Sequence, residues 1–390
     1  MADEHPMEQD GSGRDTGKNA CNPFLGSPAF DRKPLFSSDR LPNVLVTKRG
    51  TLIAIWGEFQ CTPGHRLRVR RSEDGGRTWA TEQAISEGEH GGGALIDETT
   101  GHILVFAERD TRSENPERVL VVSTDDGRTW QESAASFEAD GEGNDPRLHM
   151  AEHGITLEHG SHTGRLLRPA RVYGADGYNT ALYSDDGGNT WIPSEPFPIR
   201  GTGEGAVAEL RDGRIYYSSR RHYFPAGESM QAGRMYAWSH DGGETWTDPG
   251  VDATIPDGPR HRSATGRGAC YNGHFGMMGG LARVPLADTD ILLYSTADNE
   301  GYFRRGMTVW ASFDGGRSWP VKRRVYDRPS AYSSLAVGRP ATPTAGWIYL
   351  LFEHGVPRST DDWPRIDYTG GTISRFNLRW LARGERTGSG

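Results

Sequence analysis

Short apolar runs alternate with turn residues along most of the chain, a pattern typical of many short β-strands. In the first part, the apolar residues 41–46 precede a Lys-Arg-Gly turn at residues 48–50 and a second apolar run at residues 51–56. The same plan returns as pairs of runs at residues 93–97 and 103–107, 154–157 and 164–168, and 206–210 and 214–218. A third apolar run follows, such as residues 66–70 or 118–122, so we predict groups of hairpin-connected strands.

An eight-residue box closes these groups of strands and recurs along the chain. The first copy, residues 72–79, reads Ser-Glu-Asp-Gly-Gly-Arg-Thr-Trp, and further copies begin at residues 123, 184, 239 and 312, the last with Ser318 in place of Thr. Successive starts are therefore 51, 61, 55 and 73 residues apart. This spacing is typical of one four-stranded propeller blade. The sequence predicts an all-β fold, a β-propeller with one box in most blades.

The residue types of the box suit a rigid turn between two strands. The Asp side chain can accept backbone N–H groups, the following Gly can adopt a positive φ, and the Trp can anchor the turn between neighbouring sheets. A calcium-binding loop would need further carboxylates at fixed spacing, and the boxes lack them. We therefore interpret the five boxes as structural turns.

Composition and charge narrow the class of protein. The 390 residues suit one large all-β domain, and 52 Gly, 23 Pro and 11 Trp suit many turns and large aromatic anchors. The formal net charge of −8 argues against nucleic acid as a partner, and no apolar run is long enough to span a membrane. Three cysteines, Cys21, Cys61 and Cys270, cannot form a complete disulfide framework, so reduced thiols are expected.

The ends of the chain differ from its middle. Residues 1–22 are polar and lack the apolar segment of a signal peptide, so we expect a disordered arm and a cytoplasmic protein. The propeller is expected to span residues 23–381, with strands at 331–337, 347–352 and 372–381 in a last blade without a box. A strand near the N-terminus should close the ring against that blade. Residues 382–390 are expected to form a flexible tail, and the long interval 257–280 to overhang the central channel.

The repeated box is the Asp-box, and the chain resembles the sialidase superfamily of six-bladed propellers. Beyond the boxes, the resemblance spans residues 35–381 and rests on six further landmarks that occur in the family's order. They are Arg40 in Arg-Leu-Pro, Glu204 before Val-Ala-Glu-Leu, Arg220 at the end of Tyr-Tyr-Ser-Ser-Arg, Arg304 ahead of the fifth box, Tyr332 in Ala-Tyr-Ser-Ser-Leu, and Glu353 in Leu-Leu-Phe-Glu.

The resemblance implies a retaining exo-glycosidase that releases a terminal α-keto acid sugar, such as sialic acid or a related nonulosonic acid. Arg40, Arg220 and Arg304 would hold the sugar carboxylate, because guanidinium groups bind a planar anion through paired N–H bonds. Tyr332 would be the nucleophile and Glu204 its base, since a neutral phenol is not repelled by an anionic substrate. Glu353 would orient Arg40. The resemblance implies a carboxylate-bearing glycan as partner and neither a metal nor an organic cofactor.

One family landmark is missing from the sequence. Between the first arginine and the first box, sialidases normally carry a catalytic Asp that protonates the leaving oxygen. Residues 56–70 of this chain contain no Asp. His65 is our first choice as the proton donor, since it lies at about the right place and histidine side chains can donate a proton near neutral pH. Glu58, His90, His149 and His153 are the alternatives.

Two other classes of function remain open at this stage. A catalytically silent Asp-box propeller would bind an acidic glycan or a protein partner, because the box alone does not specify an activity. A lyase that acts on an acidic sugar through His and Tyr would use the same arginine cluster.

Overall fold

Antiparallel β-strands make up most of the structure, a computed structural model. It describes residues 22–57, 64–111, 113, 115–148, 151–173, 177–222, 233–257, 276–286, 289–299, 304–358 and 365–387. The described residues form five sheets. Three short helical segments accompany them, namely the 3-10 turns Pro23–Leu25 and Gly160–His162 and the helix α1, Leu378–Leu381. None of these helices has the length and apolar character that a membrane crossing requires, within the part of the chain that is described.

The first four sheets follow one another along the chain, after the strand β1 (Phe30–Ser37) that pairs elsewhere. The first sheet contains β2 (Arg40–Val46), β3 (Leu52–Gly57), β4 (Arg66–Ser72) and β5 (Gln83–Glu87). The second contains β6 (Glu89–His90), β7 (Leu95–Ile96), β8 (Ile103–Arg109), β9 (Glu117–Ser123) and β10 (Gln131–Ser133). The third contains β11 (Ser136–Phe137), β12 (Ile155–Thr156), β13 (Leu166–Val172), β14 (Tyr178–Ser184) and β15 (Thr190–Pro193). The fourth contains β16 (Thr202–Glu209), β17 (Ile215–Arg221), β18 (Arg234–Ser239) and β19 (Thr247–Asp252). The strand groups predicted from the apolar runs are confirmed.

The fifth sheet is larger because one long strand belongs to two groups. It contains β20 (Gly280–Leu286), β21 (Thr289–Ala297), β22 (Arg305–Ser312), β23 (Val321–Val337), β24 (Ile348–Arg358), β25 (Arg365–Phe376), β1 and β26 (Glu385–Arg386). The first part of β23, up to Pro329, pairs with β22. From Ser330 onward, β23 pairs with β24 instead. The sheet therefore consists of two four-stranded groups that share β23, together with the short strand β26, which pairs with β23.

Hydrophobic clusters fill the spaces between successive sheets and give a propeller-like arrangement. One cluster joins Ile53 and Ile55 of the first sheet to Val105 and Val121 of the second. Another joins Val44 and Val46 of the first sheet to Tyr349 and Leu351 of the last. Since the last sheet packs on the first, the sheets form a closed ring, and burial of apolar area between them is the main stabilising contribution.

The strand β1 completes the last sheet, as predicted for the ring closure. It pairs with β25 in antiparallel register from Phe30 opposite Phe376 to Ser37 opposite Gly370. β1 therefore covers the edge of β25 and is itself the outermost strand of this sheet.

Two expectations for the C-terminal part are corrected. The strand expected over residues 372–381 ends at Phe376, because Asn377 accepts a hydrogen bond from Trp380 N and caps helix α1. Residues from 382 onward were expected to form a loose tail, whereas Glu385–Arg386 pairs with Val321 and Lys322 of β23. The expected N-terminal arm, apart from Asn22, and the three cysteines lie outside the described residues.

The boxes form nearly identical turns that are held by local hydrogen bonds. In the first box, Asp74 Oδ1 accepts hydrogen bonds from Arg77 N and Thr78 N, each at 2.9 Å. Thr78 Oγ1 donates to Asp74 Oδ2 at 2.6 Å, and Gly76 N donates to Ser72 Oγ at 2.9 Å. The carboxylates of Asp125, Asp186, Asp241 and Asp314 accept backbone hydrogen bonds in the same way in the other four boxes. The interpretation of the boxes as structural turns agrees with this geometry.

Candidate active site

The path of the strands brings the six family landmarks to one edge of the ring. In a group of antiparallel strands, the start of the first strand, the end of the second and the start of the third lie at the same edge. The landmarks follow this rule. Three lie at or near strand starts, namely Arg40 at the start of β2, Glu204 near the start of β16 and Arg304 directly before β22. Arg220 lies near the end of β17, Tyr332 near the start of the part of β23 that pairs with β24, and Glu353 in β24. Residues separated by up to 313 positions therefore meet at one mouth of the channel.

Tyr332, Glu204 and Arg220 form the centre of this site. The Tyr332 hydroxyl donates a hydrogen bond to Glu204 Oε1 at 2.6 Å. Arg220 Nη1 lies 2.6 Å from the same carboxylate oxygen and donates to the Tyr332 hydroxyl at 3.2 Å. All three side chains are buried, with at most 5% exposed. Hydrogen bonds to ionised groups are strong when water is excluded, so this triangle is a fixed arrangement.

Arg40 and Arg304 complete the group of three arginines around the Tyr332 ring. Their guanidinium carbons lie 5.1 Å and 5.3 Å from the ring centroid, respectively. Arg40 donates to both carboxylate oxygens of Glu353, at 3.1 Å and 3.0 Å, which is the orientation expected from sequence. Arg304 Nη2 donates to Gly276 O at 2.6 Å. The structure thus brings together all three predicted arginines, Tyr332, Glu204 and Glu353.

The backbone that presents Arg40 is strained. Ser38, Asp39 and Leu41 have φ values of 63°, 61° and 62°, which are uncommon for residues with a side chain. A register shift between Arg40 and Asn43 accompanies them in the pairing of β2 with β3. Leu41 N donates to Glu353 Oε1 at 3.0 Å, so the same carboxylate holds both the backbone and the guanidinium. Strain of this kind clusters at functional sites, where the surroundings enforce it.

The charges around Tyr332 and Glu204 determine where the shared proton lies. Burial raises the pKa of Glu204, but Arg220 and Arg171 outweigh it and lower that pKa to about 2. Burial and the Glu204 carboxylate raise the pKa of Tyr332 to about 12, although Arg220, Arg304 and Arg40 oppose this shift. The shared proton therefore lies on the Tyr332 phenol, and Glu204 is ionised.

A buried arginine that sequence reasoning missed holds the backbone of this centre. Arg234 Nη2 donates to Glu204 O at 3.1 Å, and Arg234 Nη1 donates to Asp257 Oδ1 at 2.8 Å and Met277 O at 2.7 Å. Arg234 thereby ties the start of β16 to both described ends of the long interval that was expected to overhang the channel. Residues 258–275 of that interval lie outside the described part.

A second group of charged residues extends from Glu204 towards the second sheet. Arg171 Nη1 lies 3.9 Å from Glu204 Oε1, and its guanidinium carbon lies 3.9 Å from the Tyr173 ring centroid. Arg147 approaches the same ring at 5.4 Å and binds Glu108 through Nε and Nη2, each at 3.1 Å. Arg171 lies near the end of β13, the place that Arg220 occupies in β17, so a comparison of strand ends between repeats would have identified it.

The candidate proton donors have different positions. His65 directly precedes β4, as Arg304 precedes β22, and its carbonyl accepts a hydrogen bond from Gly88 N at 2.9 Å. His90 is fully buried, and burial lowers its pKa to about 3, so it is a poor donor near neutral pH. His153 lies near the axis of the ring with its Nε2 2.7 Å from Leu335 O. Glu58 and His149 lie outside the described residues.

The comparisons with known proteins agree with this fold. A sialidase of Micromonospora viridifaciens is 30% identical over 393 residues, which cover 91% of this chain and 55% of that protein. A Hadza microbial sialidase, Hz136, superposes with a TM-score of 0.64 at 21% identity, covering 88% of this chain and 66% of that one. A leech intramolecular trans-sialidase gives a TM-score of 0.65 at 15% identity and covers 88% of this chain and 68% of that one.

The chain spans about half the length of the Micromonospora sialidase that it matches. A family profile described as "BNR repeat-like domain" matches residues 50–342, most of the propeller. The repeated boxes, the ring of sheets and this match lead to one conclusion: the chain belongs to the family of BNR repeat-like domains.

Proposed function

We propose that this protein is a glycoside hydrolase of the sialidase type, which removes a terminal α-keto acid sugar with retention of configuration. The observation that carries the proposal is the 2.6 Å hydrogen bond from the Tyr332 hydroxyl to Glu204 Oε1 inside the group formed by Arg40, Arg220 and Arg304. A nucleophile paired with a base, next to a concentration of positive charge, suits a substrate whose reacting carbon bears a carboxylate. Relatives that are named sialidases support the same reading.

In the proposed reaction the three arginines hold the sugar carboxylate and place the anomeric carbon over the Tyr332 oxygen. The phenol passes its proton to Glu204 as the oxygen attacks, and the bond to the aglycone breaks. A proton donor protonates the leaving oxygen, and a covalent glycosyl-tyrosine results. Water then attacks the anomeric carbon from the face that the aglycone left and gives a proton to the deprotonated donor, while Glu204 returns its proton to Tyr332 and the sugar is released.

Substrate binding itself would favour the proton transfer. In the unliganded site, the positive charges of Arg220 and Arg171 keep the Glu204 pKa near 2. A carboxylate bound between the arginines adds a negative charge and draws Arg220 hydrogen bonds away from Glu204. Both effects raise the Glu204 pKa, so Glu204 becomes a stronger base when substrate is present.

His65 remains the proposed proton donor. The support is topological, since it precedes the third strand of its sheet at the edge where the arginines and Tyr332 meet.

The number of blades also belongs to the proposal. We propose six blades, because the fifth sheet contains two four-stranded groups that share β23. The hydrophobic cluster that includes Val309, Leu335 and Leu350 packs between these two groups, as the other clusters pack between separate sheets.

The test is turnover of an aryl α-ketoside of N-acetylneuraminic acid and of related nonulosonic acids, with Tyr332→Phe as the matched variant. The wild-type protein should release the aryl alcohol, while the variant, which lacks only one hydroxyl, should be slower by about 10³-fold or more, since it lacks the nucleophile. Proton NMR of the first product should show the α-anomer. Turnover that survives Tyr332→Phe unchanged would remove the nucleophile assignment.

The two alternative functions predict other outcomes of the same test. A binding propeller would retain the ketoside without cleaving it, and a lyase would give an unsaturated sugar. The paired Tyr332 and Glu204 and the sialidase relatives do not favour either alternative.

A further inference from the structure

Three residues at the axis of the ring, Ala151, Glu152 and His153, contact the strands that carry the proposed catalytic residues. They precede β12 in the third sheet and are called the axial bridge here. Glu152 is completely buried, although the proposed reaction gives it no role. A buried carboxyl group is costly unless hydrogen bonds compensate for its lost hydration, so its contacts require an explanation.

The side chains of the axial bridge bind the strand of the nucleophile. Glu152 Oε1 accepts hydrogen bonds from Ser334 Oγ at 2.8 Å and from Leu335 N at 2.9 Å. His153 Nε2 lies 2.7 Å from Leu335 O. The N–H and the C=O of Leu335 are thus both bound from the channel side, where the innermost strand of a sheet has no neighbouring strand to pair with. Leu335 lies three residues after Tyr332 in the same strand, β23.

The backbone of the axial bridge binds the strand of the base. Glu152 N donates to Gly205 O at 3.0 Å, and Gly205 directly follows Glu204 in β16. Glu152 therefore contacts Gly205, next to Glu204, through its backbone, and β23, the strand of Tyr332, through its side chain. The connection thus joins the strands of Glu204 and Tyr332, two residues that are 128 positions apart in sequence.

The strand that carries Arg40 joins the same network. Val44 N donates to Ser334 Oγ at 3.0 Å, so the Ser334 hydroxyl connects β2 to Glu152. Asn43 Nδ2 also donates to Ala151 O at 3.4 Å. Hydrogen bonds of the axial bridge and of Ser334 thus join β2, β16 and β23, which carry Arg40, Glu204 and Tyr332.

We propose that Glu152 is a positioning residue that sets the separation of Tyr332 from Glu204 by fastening their strands together across the axis. This inference rests on the proposed function, because it concerns the geometry of that nucleophile and that base. Reactive groups lose rate steeply when their alignment is relaxed by even about 1 Å. Two of the three arginines proposed to bind the carboxylate are held by other partners, Arg40 by Glu353 and Arg304 by Gly276. Loss of the axial bridge should therefore slow the chemistry more than it weakens binding.

The experiment compares Glu152→Ala with Glu152→Gln on the aryl ketoside. Glu152→Ala removes the acceptor, and kcat should fall by about 100-fold, the cost of a misplaced nucleophile, with KM changed by less than about threefold. Glu152→Gln keeps a carbonyl oxygen that accepts the same two hydrogen bonds, so kcat should stay within about fivefold of the wild-type value. Circular dichroism and a dehydrated sialic acid analogue as binding probe should give near wild-type folding and affinity for both variants.

Three results would overturn the inference. They are an unchanged kcat in folded Glu152→Ala, a loss of kcat that matches the loss of folded protein and of analogue binding, and equal losses in Glu152→Gln and Glu152→Ala. If Glu152→Ala does not fold, Ser334→Ala replaces it, with an expected fall in kcat of about tenfold at unchanged KM. An inactive wild-type protein would contradict the proposed function instead, so the two failures are distinguishable.

Discussion

The five boxes and the candidate active site are built on opposite principles. In each box, an Asp carboxylate binds groups three and four residues further along the chain, and the same contacts recur five times. In the site, Tyr332 binds a carboxylate 128 residues away, and Arg40 binds one 313 residues away. A box is a local and repeated structure, whereas the site exists once and only after the whole ring has formed. A single change should therefore have a small effect in a box and a large one in the site.

The largest effect is expected at Glu204, where one proton acceptor serves the whole reaction. Glu204→Gln keeps the size of the side chain but removes the charge that accepts the Tyr332 proton, so kcat should fall by about 10³-fold. Steady-state hydrolysis of the aryl ketoside measures it. The control is Glu209→Gln in the same strand, whose carboxylate binds Glu158 N and His159 N instead. Equal losses in both variants would mean that the effect is one of folding.

An intermediate effect is expected at Arg304, one of three groups that share the substrate carboxylate. Arg304→Ala should weaken binding of the dehydrated sialic acid analogue by about 30-fold, the usual contribution of one hydrogen bond between charged groups. Titration calorimetry measures the affinity. Arg305→Ala is the matched control, because that neighbouring side chain is exposed and donates to Asp327 O. Wild-type affinity in Arg304→Ala would contradict the proposed binding site.

The smallest effect is expected in a box. Asp74→Ala should lower the free energy of unfolding by about 1 kcal/mol, as does the loss of other capping hydrogen bonds at the surface, and should leave kcat unchanged. Urea unfolding measures the difference, and Asp74→Asn, which keeps one acceptor oxygen, should lose less. A loss of activity in the folded Asp74→Ala variant would erase the contrast between the two regions.

Acid should remove the difference in the free energy of unfolding between the wild-type protein and Asp74→Ala. Hydrogen bonds from Thr78, Ser72 and Arg77 outweigh partial burial and lower the pKa of Asp74 to about 2. A carboxyl whose pKa is lower in the folded state stabilises the fold above its unfolded pKa, which is about 3.9, and this contribution is lost as the pH falls towards 2. The two unfolding curves should therefore be separate at pH 6 and approach each other between pH 4 and pH 2.

The same contrast explains how much could be predicted from the sequence. The hydrogen bonds that hold each box lie within its own eight residues, so the turns and most strands were predicted from the sequence pattern alone. The group of Arg40, Arg220, Arg304, Tyr332, Glu204 and Glu353 was identified because each residue lies in a short motif shared with sialidases, and the structure places them together.

The missed residues have no such motif. Arg234 and Glu152 act through backbone groups of distant strands, and nothing in their local sequence indicates which strands will be adjacent. The predicted end of β25 was wrong because the apolar run continues past Asn377, the residue that caps helix α1. The proton donor stays a prediction because residues 56–70 contain no Asp and the one acid among them, Glu58, lies outside the described residues.

The pairing of β1 with β25 has a consequence for biosynthesis. Phe36 lies opposite Gly371, and Gly371 lies opposite Glu353, the partner of Arg40. During synthesis, β1 therefore stays unpaired until β25 has been made, and the Glu353 carboxylate that binds Arg40 lies in β24, next to β25. A polypeptide that stops before β25 leaves both β1 and β24 without the strand that pairs with each of them.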